Sequence, residues 1–389
     1  MAGNYVTRVV EDPNTLDGHA WNELLEQQIG APHGPFMRHE YLAALHSSGC
    51  AVRDTGWQPQ WLTLWQDAAL VAAAPLYVKP HSYGEYVFDW AWAEAYARHG
   101  LDYYPKGVVA VPFTPVPGPR LLARDAPARA ALMQALLAHA QALGLSSLHL
   151  LFAAEADLDA ARGASLLQRQ TVQFHWRNAG YADFDAFLAA LQQDKRKKIR
   201  QERRKVADAG VGFEWRRGQD IQTEDWDFFY HCYERTYREH GNPPYLSRDF
   251  FGQLAQQQPE QWLLFLARNR QGQRIAASLV ALSDASAQPA VAYGRYWGAL
   301  ERVDCLHFEA CYYQPLQWCI DHGVQRFEGG AQGEHKMARA LLPVPTHSAH
   351  WLAHPAFADA VERFLEQEGQ HVAHYLDHLE SRNPLKRTT

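Results

Sequence analysis

The 389 residues contain no Cys-x-x-Cys pair, no apolar core of signal-peptide length near the N-terminus and no uninterrupted apolar run of the roughly 18 residues a membrane helix needs. The five cysteines, Cys50, Cys232, Cys305, Cys311 and Cys319, are odd in number, which fits a reducing compartment better than a disulfide framework. Together these absences predict a soluble, cytoplasmic protein with no membrane insertion. A surplus of positive charge is also missing: net charge is −6, so any contact with nucleic acid or phosphate must come from a local patch. No G-x-S-x-G elbow points to a serine nucleophile.

Aromatic residues are plentiful, 12% of the chain, and favour pockets with flat walls. The length suggests two or three domains. The chain also repeats itself. WLTLWQDAALVAAAPLYVK (61–79) and WLLFLARNRQGQRIAASLVAL (262–282) both read as hairpins opening on Trp-Leu. AALMQALLAHAQALGLSSLHLLF (130–152) and FEACYYQPLQWCIDHGVQRFEGG (308–330) both read as helix, glycine stop and strand. The first half is longer by about 22 residues, assigned to the proline-rich segment YYPKGVVAVPFTPVPGPRLL (103–122). Its prolines exclude helix and central strand, so it should be a stiff, ordered loop. Lys106 and Arg120 within it are candidates to meet an anionic substrate; covering a sheet edge is the other reading.

Between the halves, apolar residues at helical spacing predict one long helix over 183–208, and a further amphipathic helix is expected over 355–379, with the last ten residues frayed. Eight of the eleven residues from Lys195 to Lys205 are basic. Most should form a solvated face, but Lys195 interrupts the apolar seam and calls for a partner or a ligand phosphate. His371, His374 and His378 share a helix face that could bind zinc or nickel, helped by His350 or His354; no acidic or cysteine ligand joins them, and no metal is expected.

The segment FEGGAQGEHKMARALLPVPTHSAHW (327–351) concentrates glycines, Glu334, His335, Lys336 and Arg339. Residue types alone leave four readings: phosphate cradle, metal site, acyl-transfer pocket or plain turn. With QFHWRN (173–178), YGRYWG (293–298), LHFEACYY (306–313) and GAQGEHKMARALLP (330–343), the chain resembles the FemAB-like family of predicted N-acyltransferases, relatives of the Fem peptidoglycan aminoacyltransferases. The resemblance covers nearly the whole chain. It implies an α/β (α+β) fold of two tandem GNAT-like domains, 1–170 and 171–389, each a mixed, mainly antiparallel sheet flanked by helices. The second would be catalytic, the first an acceptor-binding or structural copy.

The resemblance further implies that YGRYWG lies on a splayed strand beside the acyl donor, so Tyr293, Arg295, Trp297, Gly298 and His307 would bind donor or substrate with Arg339. The helix after it would begin near Asp304 and face a donor phosphate. Lys336 would take the place of a lysine near the transferred acyl group. Two departures stand out. Arg295 to Leu300 matches four positions of the [Q/R]-x-x-G-x-[G/A] pyrophosphate motif and ends on Leu, and FDWAWAEA (88–95), the counterpart of YGRYWG, has no glycine. Ala340 also stands where the pattern has Gly.

An amine attacking a carbonyl needs a neutral nucleophile, a donor for the oxyanion and a proton for the leaving group. Lys336 is assigned to the oxyanion or a phosphate; His335, Glu334 or Glu309 to the amine proton; Tyr312 or Tyr313 to the leaving group. The competing structural readings are that Glu334, His335 and Lys336 only cap a helix and that Glu309 pairs with Arg295 or Arg302; Cys305 and Cys311 are read as buried thiols more readily than as nucleophiles. The functional expectation is an acyltransferase, placed with enzymes moving groups other than aminoacyl groups while aminoacyl transfer stays open. No tightly bound cofactor is expected; acyl-CoA or aminoacyl-tRNA would be donor, and a small-molecule or peptide amine the acceptor. The competing reading is a non-catalytic binder of peptidoglycan-type or anionic ligands on a decayed GNAT fold.

Overall fold

The computed structural model describes residues 4–28, 34–284, 286–287, 289–331 and 333–386. The chain divides into two compact units, one made of Met1–Thr171 and Pro345–Tyr375, the other of Val172–Val344 and Leu376–Thr389. The second unit is therefore not one stretch running to the C-terminus. Ala349–Leu352 pairs antiparallel with Ser147–Leu150, and Leu352, Val361 and Leu365 pack against Trp92, Tyr96 and Tyr103, which draws residues 345–375 to the first unit. No helix of the described residues is long and apolar enough to cross a membrane.

In the first unit the hairpin joins Trp61–Gln66 to Ala69–Ala74 through Asp67 and Ala68, both at positive φ, the twist a two-residue hairpin turn requires. The helix Ala126–Ala142 is capped by the Asp125 carboxylate on the Ala128 N–H and ends before Gly144, which takes φ 65°. Its Leu132, Met133, Leu136 and Ala140 bury themselves in one core with Leu62, Leu64 and Val71 of the hairpin. Strands Lys106–Val109 and Ser147–Leu150 run parallel.

The proline-rich segment 103–122 is therefore not loop throughout: its Lys106–Val109, a run free of proline, is a strand paired on both sides, with Leu76–Lys79 and Ser147–Leu150, and the segment continues as loop where that strand ends. The Gly118 N–H donates to the Phe152 carbonyl at 3.0 Å, and Val111, Phe113, Val116 and Leu121 are buried, so the segment fills the place beside the strand ends. Arg120 is 2% exposed. Its guanidinium donates to the carbonyls of Leu151, Pro119 and Val116, and its backbone N–H to Asp157. Lys106 is fully buried and donates to Ser82, Glu85 and Asp89. Neither cation is available to an anionic substrate, because each has its charge and donors met internally. FDWAWAEA is also not a strand: Trp90–Arg98 is helical, and the strand standing where YGRYWG stands in the second unit is Lys106–Val109.

The second unit's sheet has the order Gly212–Arg217, Trp262–Arg268, Arg274–Leu282, Val291–Ala299, Arg326–Ala331 and then the strand Leu167–Arg177. All pairings are antiparallel except Val291–Ala299 with Arg326–Ala331. The two central strands read as continuous apolar runs and are buried almost throughout, as strands covered on both faces must be. Helix Thr223–Glu239 lies on the cavity strand Val291–Ala299 so closely that a Cβ at Gly298 would stand 2.0 Å from the Cys232 carbonyl oxygen. Gly298 is thus a packing glycine. Gly298→Ala should cost about 1–3 kcal/mol, read as a lower midpoint in urea, because a backbone carbonyl cannot rotate away.

The basic helix is broken. Phe184–Ala190 and Gln193–Asp208 are separate helices, with Leu191 extended and fully buried between them. Periodicity carries across the break, but the tail holds it open: Leu191 bridges Leu385, and the Gln192 N–H donates to the Pro384 carbonyl. The tail is therefore ordered to 386 rather than frayed; 387–389 lie outside the described residues. The C-terminal helix runs Pro355–Ser381.

Candidate functional site

The cavity strand and Arg326–Ala331 are paired over only three positions, Val291–Tyr293 against Arg326–Glu328, and then part. A bulge lies opposite Leu279 and Val280, where Tyr296 and Gly294 are the partners and Arg295 is the extra residue. The gap opens a cavity of about 150 Å³ between Gly294, Arg295, Tyr296 and Trp297 on one strand and Phe327 and Gly329 on the other. Ser278, His307, Cys311, Tyr312 and Lys336 complete its wall. Both glycines are required by contact: a Cβ would meet Phe327 at 2.8 Å from Gly294, and Leu341 at 2.4 Å from Gly329.

The helix supplying His307, Cys311 and Tyr312 starts at Leu306, after Cys305 at φ 66°, and widens into a π-turn over Glu309–Tyr313 before continuing as Gln314–Asp321. Pro315 explains the widening: it lacks an N–H and its ring would strike the Cys311 carbonyl in a regular helix. The turn brings Cys311 and Tyr312, adjacent in sequence, to the same cavity.

Lys336 comes from a short 3-10 helix, Glu334–Arg339, set between Gly333 and Ala340, both at positive φ. It is 5% exposed and donates to the Gly330 carbonyl at 3.3 Å. Burial lowers its pKa to about 8, so the ammonium persists at neutral pH but is easily discharged. Ala340 does the work for which the pattern has Gly, and an L-residue pays for φ 59°. Ala340→Gly should stabilise the protein by about 1 kcal/mol, visible as a rise in Tm.

Arg339 does not line the cavity. It is buried, with its guanidinium on Glu202 at 2.8 Å, on the His335 carbonyl at 2.7 Å and over the Phe308 ring at 3.7 Å. The Tyr313 hydroxyl also donates to Glu202, which ties the Lys336 turn to the basic helix. Glu334 is exposed and pairs with Arg382 at 2.9 Å, away from the cavity. Glu309 pairs with Arg203 at 3.0 Å rather than with Arg295 or Arg302, and accepts from Gln314. These two carboxylates are not placed to take a proton from a substrate in the cavity. Lys195 pairs with its neighbour Asp194 at 2.9 Å, partly exposed. Asp304 is exposed and holds Lys205.

His335 lies at the cavity's edge, its Nε2 at 3.4 Å from the Tyr312 hydroxyl. Loss of water, then Arg339 and Lys336, lowers its pKa, so it is neutral at pH 7. His307 packs edge-on against Trp297 and Tyr312, and desolvation followed by His335, Arg339 and Lys336 holds it below the usual imidazole range. Burial raises the pKa of Tyr312 and pushes the Cys311 thiol up to about 12, so Tyr312 keeps its proton and Cys311 is no thiolate. Tyr293 is buried at the last paired position, beside Glu328.

Ser278, Gly294, Phe327 and Gly329 were not among the residues singled out in the sequence, nor was Glu328. Gly294 lay within YGRYWG, and Phe327, Glu328 and Gly329 within the segment 327–351, but none of them was assigned a role. Glu328 is 4% exposed, with Oε1 2.9 Å from Arg326. The histidines do not assemble: no group of three His, Cys, Asp or Glu that could hold a metal occurs among the described residues, and His350 is buried against His149, Nδ1 to Nδ1 at 2.7 Å.

Residues 12–387 match the model of the FemAB_like family, described as peptidoglycan biosynthesis/recognition. Among solved structures the chain is similar to FemX, at 10% identity and TM-score 0.52, covering 89% of this chain and 98% of that one. It is similar to L-PGS from Bacillus licheniformis, at 10% identity and TM-score 0.55, covering 92% and 99%. A third is the C-terminal domain of a putative lysylphosphatidylglycerol synthetase from Agrobacterium fabrum, at 11% identity and TM-score 0.52, covering 90% and 95%. At such identities the likeness is one of fold. No curated protein matches. With a family model that matches nearly its whole length, this chain belongs to the FemAB-like family.

Proposed function

We propose that the chain is an N-acyltransferase that moves an acyl or aminoacyl group from a thioester or aminoacyl-tRNA onto an amine, by direct attack and with a cell-wall precursor as the acceptor class. The observation that carries this reading is the buried Lys336 ammonium at the wall of a cavity formed where two parallel strands part. A cation held without water beside a carbonyl stabilises the oxyanion of the tetrahedral intermediate. Tyr312, still protonated, supplies the leaving group's proton. The family's peptidoglycan description supports the acceptor class.

For the donor, the packing role of Gly298 removes one residue from the coenzyme A motif, so a thioester would have to be gripped differently. Support for a tRNA donor comes from Lys197, Lys198, Arg200, Arg204 and Lys205, all exposed on the basic helix. Beside them lies a groove of about 450 Å³ lined by Arg200, Arg203 and Arg204 together with Asp183, Asp185, Gln317, Phe184 and Leu188, so its charge is mixed. Either donor is a substrate rather than a resident cofactor. In the first unit the proline-rich segment occupies the corresponding gap, which supports catalysis in the second unit alone.

The test incubates the purified chain with acyl-CoA thioesters and with charged tRNA, each with candidate amines, and follows free thiol or released tRNA. Turnover that vanishes in folded Lys336→Ala is the expected result. Saturable binding of a muropeptide with no turnover on any donor would favour the non-catalytic binder.

A further inference from the structure

The donor cavity leaves one role unfilled. An amine arrives protonated at neutral pH, and none of the carboxylates first considered for its proton reaches the cavity. Glu328 is differently placed. It is the last residue of its strand paired with the cavity strand, opposite Tyr293, and the residue after it, Gly329, lines the cavity. By the alternation of a strand, its side chain leaves the sheet on the face opposite Phe327 and Gly329 and does not itself line the cavity; Arg295, which does, is among the charges it faces. Arg326 anchors Oε1 at 2.9 Å, while Oε2, buried, has no hydrogen-bond partner among the described residues. A buried carboxylate oxygen without a donor is costly unless something else meets it.

We propose that Glu328 receives the acceptor's ammonium at the point where the strands part and removes its proton, making Glu328 the general base of the transfer. The inference rests on the acyltransferase reading. Glu328 Oε2 takes one proton from R–NH3+; the neutral amine attacks the donor carbonyl, forming C–N, and the C–S or C–O bond to the leaving group breaks. The second amine proton passes to solvent as the amide forms, the leaving group gains one from Tyr312, and solvent then reprotonates Tyr312 and takes the proton from Glu328.

The groups facing Glu328 are Arg326 on its own strand, Tyr293 and Arg295 on the cavity strand, and His175 across the sheet, its Nε2 at 3.9 Å from Oε2. Burial raises the carboxyl's pKa to about 7 against the pull of Arg326 and Arg295. That is a basicity suited to an ammonium near neutrality. His307 and His335, held below the usual imidazole range, are weaker bases.

Two measurements on the full chain test this. Binding of ethylamine by saturation-transfer NMR should be at least fivefold tighter at pH 8 than at pH 6, and should disappear in Glu328→Gln, an isosteric change whose folding is checked by circular dichroism. Turnover, with any donor and amine the wild type uses, should fall at least 100-fold in Glu328→Gln and lose its acidic limb near pH 7, while Glu328→Asp recovers part of the rate. Ethylamine binding without pH dependence overturns the proposal. So does turnover that keeps its acidic limb in Glu328→Gln, or loses it instead in His307→Gln. Ethylamine bound through Glu328 with no turnover on any donor would sustain the site and sink the acyltransferase reading; turnover indifferent to Glu328 would do the reverse.

Discussion

Lys336→Met is expected to be inactive and more stable than the wild type. The ammonium's pKa falls from 10.5 to about 8 because burial strips its water, and the folded protein bears that cost whenever the lysine is charged. A shift of this size corresponds to roughly 3 kcal/mol. The sign follows from linkage: the folded state binds the proton less tightly than the unfolded one. The penalty is therefore present in full below pH 8 and falls away as pH rises from 8 towards 10.5. Methionine fills similar volume with no charge, so its stabilisation should be largest at pH 7 and shrink above pH 9, as denaturant midpoints at the two pH values would show. Transfer should drop by about 100- to 1,000-fold, the usual loss for one oxyanion donor. In the wild type, activity should decline as pH passes 8. A destabilised Lys336→Met would mean that the lysine holds the turn together rather than serving chemistry.

Lys106→Met should have the opposite effect on stability, a loss of about 3–5 kcal/mol, because it strands two buried carboxylates. Lys106 bonds both Glu85 and Asp89, which are 4% and 3% exposed. Burial works to raise the Asp89 pKa, but Lys106, His149 and the Tyr103 hydroxyl outweigh it and hold it at about 2. Glu85, where burial prevails, stands at about 7. Lys79 cannot take over: burial lowers it to about 7, its Nζ sits 3.5 Å over the Trp57 ring, and it approaches Glu85 only to 3.9 Å. The loss should be greatest at neutral pH and diminish below about pH 4 as Asp89 protonates in the variant. A change under 1 kcal/mol at pH 7 would show that the network relaxes or admits water.

The hairpins, the glycine-stopped helices and the strands after them were legible because each is written in local spacing. Apolar alternation, a capping aspartate or a glycine at positive φ acts within a few residues. The broken helix was not legible, since Leu191 and Gln192 are held by Leu385 and Pro384, nearly two hundred residues away. Charge was misread for a related reason. Lys106 and Arg120 look like ligand-binding cations until their partners are seen, and those partners arrive through the fold.

For the site, sequence alone determined the family and named the residues Arg295, Trp297, His307, Tyr312 and Lys336, which meet at one cavity. Tertiary structure decided which remaining polar residues face that cavity and which brace it. Glu309, Glu334 and Arg339 pair with Arg203, Arg382 and Glu202, while Glu328, paired with Arg326, stands at the parting of two strands; Glu309 and Glu328 each keep one buried oxygen with no hydrogen-bond partner among the described residues. The reason is physical: residue type and spacing specify what a side chain can do, but burial and partners, set by distant segments, determine whether its charge is already spent.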